Sequence, residues 1–241
     1  MTRPRARQYV LRPTGLFLSV LSPILLSGCV YFSRHTIHGA CSNDLGSPVR
    51  NFCVVAPRVL WRGERPTKDD ARWLLEQHVG TVVSLQLEDR RAFEAVQLGP
   101  DFVHSVSYFH VPGFSPLQVL SPTHLDTHLA LFIAIAKAAP KPIYVHCRAG
   151  VDRTGILAAA YRVLVDGVTR EQAIAEMARY HSPWQHFDAK YIRGLSEERR
   201  EQILQKAAEW ESRLRPTARI ECVRGRCTYE PTEEPSSAEH G

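Results

Sequence analysis

The sequence predicts an α/β fold, a central and mostly parallel sheet flanked by helices. Two observations point there. Short apolar runs at 59–61, 81–85, 102–111 and 143–145 read as strands, and helical patterns follow or separate them. The helical stretches open on marked caps, Thr67-Lys68-Asp69-Asp70, Ser121-Pro122 and Thr169-Arg170-Glu171-Gln172. With 241 residues, 44% of them hydrophobic, the chain can bury one core of ordinary size.

Taken in order, Val59-Leu60-Trp61 is a first short strand, and the polar run Arg62-Gly63-Glu64-Arg65-Pro66 leaves it. A helix from the Thr67 cap carries Trp73, Leu74 and Leu75 and stops near Gly80. Thr81 to Leu85 is apolar enough for a central parallel strand. Arg90 and Arg91 follow it as solvated charge, and Phe102 to Val111 is a third strand with partial alternation. Beyond the loop Pro112-Gly113-Phe114-Ser115-Pro116, a helix from Pro122 to Ala139 puts Leu125, Leu129, Phe132, Ile133 and Ala136 on one face. Ile143 to Val145 is the next strand, and Ile156 to Val165 a helix that Gly167 stops. The Thr169 cap opens a helix to about His181, broken by Ser182-Pro183-Trp184. Tyr191 to Leu195 reads as a short helix and 197–214 as a long charged one, with Ile203, Ala207 and Trp210 able to pack on the domain.

Between the strand at 143–145 and the next helix lies His146-Cys147-Arg148-Ala149-Gly150-Val151-Asp152-Arg153-Thr154-Gly155. A loop entering a helix aims backbone N–H groups at one spot, and the helix dipole favours an anion there. Arg153 adds a planar fork matched to two phosphate oxygens. The same field favours a thiolate at Cys147, the form a cysteine nucleophile needs. In an α/β sheet the ligand is expected beyond the C-terminal ends of the strands, where Cys147 falls.

The pattern His146-Cys147-x-x-Gly150-x-x-Arg153-Thr154-Gly155 resembles the Cys-x5-Arg signature of cysteine-dependent tyrosine and dual-specificity phosphatases. Arg62-Gly63-Glu64-Arg65-Pro66 resembles a segment that follows the first strand in many bacterial members. The resemblance implies a phosphatase-like domain that hydrolyses phosphate monoesters through a phosphocysteine on Cys147. Phosphate would be held by residues 148–153 (Arg148, Ala149, Gly150, Val151, Asp152 and Arg153). It assigns Thr154 to departure of the thiol and His146 to ordering the loop. It requires no metal and no cofactor. The implied partner is a phosphorylated protein or a small phosphate ester. A rhodanese-type sulfurtransferase fits poorly, because its loop has four residues between Cys and Arg and this one has five. A phosphate-binding pseudoenzyme, or a phosphoinositide or small-molecule phosphatase, is the competing reading.

The leaving oxygen also needs a proton. Most family members supply it from an Asp about thirty residues upstream, yet residues 111–120 contain no Asp or Glu. Asp152 inside the loop is the preferred acid, because the resemblance to a smaller set of members with His-Cys-x-x-Gly-x-Asp-Arg-Thr-Gly implies an acid at that position. Asp126, His110 and His124 are the other candidates.

The formal charge is +5, of which Arg3, Arg5, Arg7 and Arg12 supply +4 within residues 1–28, so the remainder carries +1. That balance gives no basic field for nucleic acid. Residues 1–28 read as a secretory signal, basic to Arg12 and then apolar from Gly15 to Leu26. Leu26-Ser27-Gly28-Cys29 resembles the bacterial lipobox, which implies lipidation at Cys29 and a membrane-tethered protein on the periplasmic side of the cell envelope. Val30 makes the outer membrane the default. Residues 29–52 read as a tether or loosely packed arm, 53–215 as the phosphatase domain, and 216–241 as a Cys-containing hairpin with an acidic disordered tail. Cys41, Cys53, Cys222 and Cys227 are an even set in an oxidising compartment. Pairing 41 with 53 and 222 with 227 is the first expectation, and cross-pairing of the two ends is the alternative. No four residues have the usual zinc spacing. In that compartment Cys147 is expected to be open to oxidation.

Overall fold

The computed structural model of the chain describes residues 41–86, 98–99, 102, 105–111, 121–214, 219–223 and 226–230. The elements among them are β1 (Cys53–Ala56), β2 (Leu60–Gly63), α1 (Lys68–Glu76), β3 (Thr81–Ser84), β4 (Ser107–His110), α2 (Pro122–Ala138), β5 (Ile143–His146), α3 (Asp152–Leu164), α4 (Arg170–Ala178), α5 (Gln185–Arg193), α6 (Glu197–Glu211), β6 (Arg219–Val223) and β7 (Arg226–Glu230). The expected α/β architecture is the observed one.

Five strands form one sheet in the order β1-β2-β5-β3-β4, with β1 antiparallel to β2 and the other pairs parallel. β5 therefore lies between β2 and β3, paired on both sides from Ile143 to His146. Its four residues are all buried, as a central strand covered on both faces requires. Alternation sorts them: Ile143 and Val145 join the core shared with α2, α3, α4 and α6, while Tyr144 joins the core of Phe52, Trp61, Leu74 and Phe102. Cys147 follows at the C-terminal edge of this strand.

The helix starts follow the caps. Thr67 and Thr169 each accept a hydrogen bond from the backbone three residues on and close a capping box, with Asp70 and Gln172 respectively. The apolar face expected on α2 understates its burial, because Ala130, Leu131, Ala134 and Ile135 are buried as well. α6 packs against α2, with Ile203 and Ala207 buried and Trp210 partly so.

Several boundaries differ from expectation. Phe102 is helical and accepts a hydrogen bond on its carbonyl from Val106 N at 3.2 Å, so the strand is confined to β4. The short helix expected at 191–195 begins earlier, at Gln185, just after the Ser182-Pro183-Trp184 break. Residues 41–52, expected within a loose arm, carry buried Val49 and Phe52. A bridge from Ser42 to Val54 sets their start against β1, and Cys41 is disulfide-bonded to Cys53. In the hairpin the register sets Cys222 opposite Cys227. The leader with Cys29, Arg90 and Arg91, the loop at 112–120 and the acidic tail after 230 lie outside the described residues. No helix among the described residues is long and apolar enough to cross a membrane.

Candidate active site

The loop from Cys147 to Arg153 leaves the central strand and enters α3. Cys147 is free and only 3% exposed. Arg148 and Ala149 are exposed, Gly150 is buried, and Val151, Asp152 and Arg153 are half-buried. The loop is held by its carbonyls. Arg65 N donates to Arg148 O at 3.3 Å, Asn51 Nδ2 to Ala149 O at 2.8 Å, and Arg62 Nη2 to Gly150 O. In a planar trans peptide the C=O and the following N–H point in opposite directions. Three tied carbonyls therefore turn the N–H groups of Ala149, Gly150 and Val151 to the other side of the loop. That is the cradle an anion needs, and the first turn of α3 adds its own unsatisfied N–H groups.

Glycine is required at position 150 on two counts. Its φ is +68°, and a Cβ there would overlap the backbone of Gly63. Gly63 is tightly placed in turn, since a Cβ on it would overlap the Tyr144 hydroxyl. Tyr144 donates that hydroxyl to Glu64 O. The end of β2 and the residue after it, Gly63 and Glu64, are thus the wall against which the loop rests.

Arg153 donates from Nη1 to Leu85 O at 2.7 Å. This bond, to the chain beyond β3, fixes the guanidinium plane while leaving its other edge for a ligand. His146 is fully buried and its Nδ1 donates to Cys147 O at 3.2 Å. Thr154 is fully buried, and its hydroxyl has no hydrogen-bond partner among the described residues.

Asp152 accepts a hydrogen bond from Ser182 Oγ at 2.5 Å, and Ser182 Oγ also accepts from Trp184 N at 3.1 Å. Among the described residues the carboxylate is not paired to an arginine. A second carboxyl lies near it. Asp188, on α5, is 2% exposed, and its Oδ2 has no partner among the described residues. Burial pushes its pKa up to about 7, with the charge of Asp152 adding to the shift. Asp188 was missed by the sequence reading, as were Asn51 and Ser182.

Two of the other acid candidates, Asp126 and His110, are engaged elsewhere. Asp126 takes two bonds from Arg199, at 2.7 and 2.8 Å, and one from Tyr191 Oη at 2.6 Å, which ties α2 to α5 and α6. His110 is buried at the end of β4, with Nε2 2.9 Å from Gln86 O. His124 lies in the first turn of α2. Among the described residues no group of His, Cys, Asp and Glu is arranged to hold a metal ion.

Residues 55–194 match the family model described as a dual-specificity, protein-tyrosine-phosphatase-type phosphatase fused to NAD+ kinase. The chain belongs to the dual-specificity phosphatase family. It is 31% identical over 172 residues to the dual specificity protein phosphatase TpbA of Pseudomonas aeruginosa strain UCBPP-PA14, covering 68% of this chain and 70% of the relative. The crystal structure of P. aeruginosa TpbA aligns with a TM-score of 0.48 at 26% identity, over 70% of this chain and 96% of that one. The catalytic core of the Saccharomyces cerevisiae phosphatase Siw14 aligns with a TM-score of 0.52 at 23% identity, over 68% of this chain and 95% of that one, a likeness of fold. The match from 55 to 194 contains every residue of the loop and both carboxylates, Asp152 and Asp188. It leaves out Cys41, Asn51 and Cys53.

Proposed function

We propose that the protein is a cysteine-dependent phosphate monoester hydrolase of tyrosine or dual specificity. The observation that carries this reading is the set of three tied carbonyls at Arg148, Ala149 and Gly150, which turns three N–H groups to one side of a loop containing a free cysteine and an arginine. Cys147 attacks phosphorus as the thiolate. The S–P bond forms, the P–O bond to the leaving group breaks, and the leaving oxygen takes the proton from Asp152. Arg153 and the loop N–H groups hold the three equatorial oxygens, where charge collects. Water then attacks phosphorus and gives its proton to Asp152. The S–P bond breaks with the Thr154 hydroxyl beside the departing sulfur, and inorganic phosphate leaves.

The 31% identity to a dual specificity protein phosphatase supports a phosphoprotein substrate. Trp184 and Phe187 also support an aryl ester. Their rings are 6.2 Å apart, Phe187 is 39% exposed, and both stand within a few residues of Ser182, which holds Asp152. We place the enzyme on the periplasmic side of a bacterial envelope, tethered by lipid on Cys29, on the strength of the basic and apolar leader ending in Leu26-Ser27-Gly28-Cys29.

Hydrolysis of para-nitrophenyl phosphate by folded protein with Cys147 as the free thiol and the Cys41–Cys53 disulfide closed tests the central reading. Turnover that Cys147→Ser abolishes is expected. Phosphate binding without turnover in the wild type would favour a phosphate-binding pseudoenzyme. Mass spectrometry of the protein from bacterial membranes checks the tether, with a diacylglyceryl adduct on Cys29 expected and an unmodified chain retaining residues 1–28 ruling it out.

A further inference from the structure

The segment from Cys41 to Cys53 lies outside the family match, yet it reaches the phosphate loop by two routes. The first is direct. Asn51, at φ +54°, donates its side-chain amide to Ala149 O at 2.8 Å. The second runs through the disulfide. Cys41 is bonded to Cys53, and Tyr180 Oη donates to Cys41 Sγ at 3.6 Å. Arg62 lies over the Tyr180 ring, its Cζ 3.9 Å from the centroid. Arg62 Nη2 donates to Gly150 O. Two of the three tied carbonyls are therefore held by groups that this segment either contains or braces.

Arg62 is only 2% exposed, and its Nε has no hydrogen-bond partner among the described residues. A buried guanidinium is costly unless neighbours compensate it. Here the compensation comes from the Tyr180 face and the Gly150 carbonyl, with the charge of a Cys147 thiolate acting in the same sense. The β2 backbone fixes the base of Arg62, and Tyr180, three residues before Pro183, fixes its head. Without the contact to Cys41, the ring has one brace fewer.

We propose that the disulfide-closed segment 41–53 is a clamp on the phosphate loop, and that Asn51 and Arg62 are its positioning residues. Their bonds hold the carbonyls of Ala149 and Gly150 back, which aims the N–H groups of Gly150 and Val151 at the phosphoryl oxygens. Neither side chain needs to touch substrate. The clamp rests on the reading of the loop as a phosphate cradle, and its consequence is that the reactive thiol and the structural disulfide have opposite redox requirements within one small region.

The test measures binding separately from turnover. Orthovanadate affinity is read by calorimetry on folded protein, and kcat and KM are read with para-nitrophenyl phosphate. Asn51→Asp removes the donor without changing shape, Asn51→Gly keeps the left-handed backbone, and Arg62→Met removes the charge. Each is expected to weaken vanadate roughly tenfold and to lower kcat more than it raises KM, because a misaimed cradle loses transition-state contacts first. Arg62→Lys should recover part of the loss. Cys41→Ser with Cys53→Ser should show the same signature, and Tyr180→Phe, which keeps the ring and loses the hydroxyl, a weaker form of it. Asn51 and Arg62 variants that fold and bind vanadate as the wild type does would overturn the clamp. Wild-type binding by the double serine variant would overturn the disulfide's part in it, and if that variant does not fold, Tyr180→Phe decides the same point. A wild type that binds vanadate but lacks turnover would instead count against the phosphatase reading.

Discussion

Arg62 and Arg153 serve one loop under opposite conditions. Arg62 is buried behind it, stacked on Tyr180 and bonded to the Gly150 carbonyl. Burial lowers its pKa, while Tyr180, Cys147 and Tyr144 act to raise it. Arg153 is half-buried at the entry to α3 and gives one nitrogen to Leu85 O. In the proposed site one arginine shapes the cradle and the other fills it with charge. The difference teaches that a phosphate site has a front, which contacts oxygens, and a back, which sets where the front points.

The sharpest test of this contrast is to make the same substitution at both positions. Arg153→Lys keeps the charge and loses the fork, so kcat/KM should fall on the order of 10³-fold. Arg62→Lys keeps a donor behind the loop and should cost about tenfold or less. Steady-state kinetics on both variants break the distinction if the losses are equal.

Asp152 is next in expected effect. Asp152→Asn keeps the acceptor for Ser182 Oγ and removes the transferable proton. Hydrolysis of phenyl phosphate, which has a poor leaving group, should slow about 10²-fold, with a smaller loss for para-nitrophenyl phosphate. Equal losses on the two esters would remove Asp152 from the role of acid.

The smallest effect expected on turnover, though not on stability, is at Asp188. The folded chain holds its proton up to about pH 7, while the unfolded chain releases it near the ordinary carboxylate value of 3.8. Protons bound in the folded state then exceed those bound in the unfolded state across that window, so this group's stabilisation is lost as pH rises from about 4 through about 7. The loss is at most roughly 4 kcal/mol. Thermal melts should show Asp188→Asn no more stable than wild type near pH 4 and clearly more stable at pH 8. Parallel melting curves at all pH values would remove the assignment.

The residues proposed for the front of the site stand together in the sequence, and those at the back do not. Cys147, Gly150, Asp152, Arg153 and Thr154 stand within one short stretch, where local chain geometry dictates their proximity. Asn51 lies 98 residues from its partner Ala149, and nothing in a polar segment announces which carbonyl it will meet. Arg62 stood in a recognisable run that begins inside β2, but its burial depends on Tyr180 folding over it. Asp188 was hidden because α5 begins directly after the Ser182-Pro183-Trp184 break, several residues earlier than its apolar residues suggest. The parallel strands were readable from their apolar runs, and β1 was not, because its four residues are joined to β2 by a tight turn at 57–59.

The most direct test of the central claim is to trap the intermediate. Protein turning over para-nitrophenyl phosphate is quenched in acid within milliseconds, digested and examined by mass spectrometry. A phosphoryl group on the peptide carrying Cys147, absent from Cys147→Ser, is the predicted result. Hydrolysis that proceeds at the wild-type rate with no such adduct, or that survives Cys147→Ser, would contradict the account.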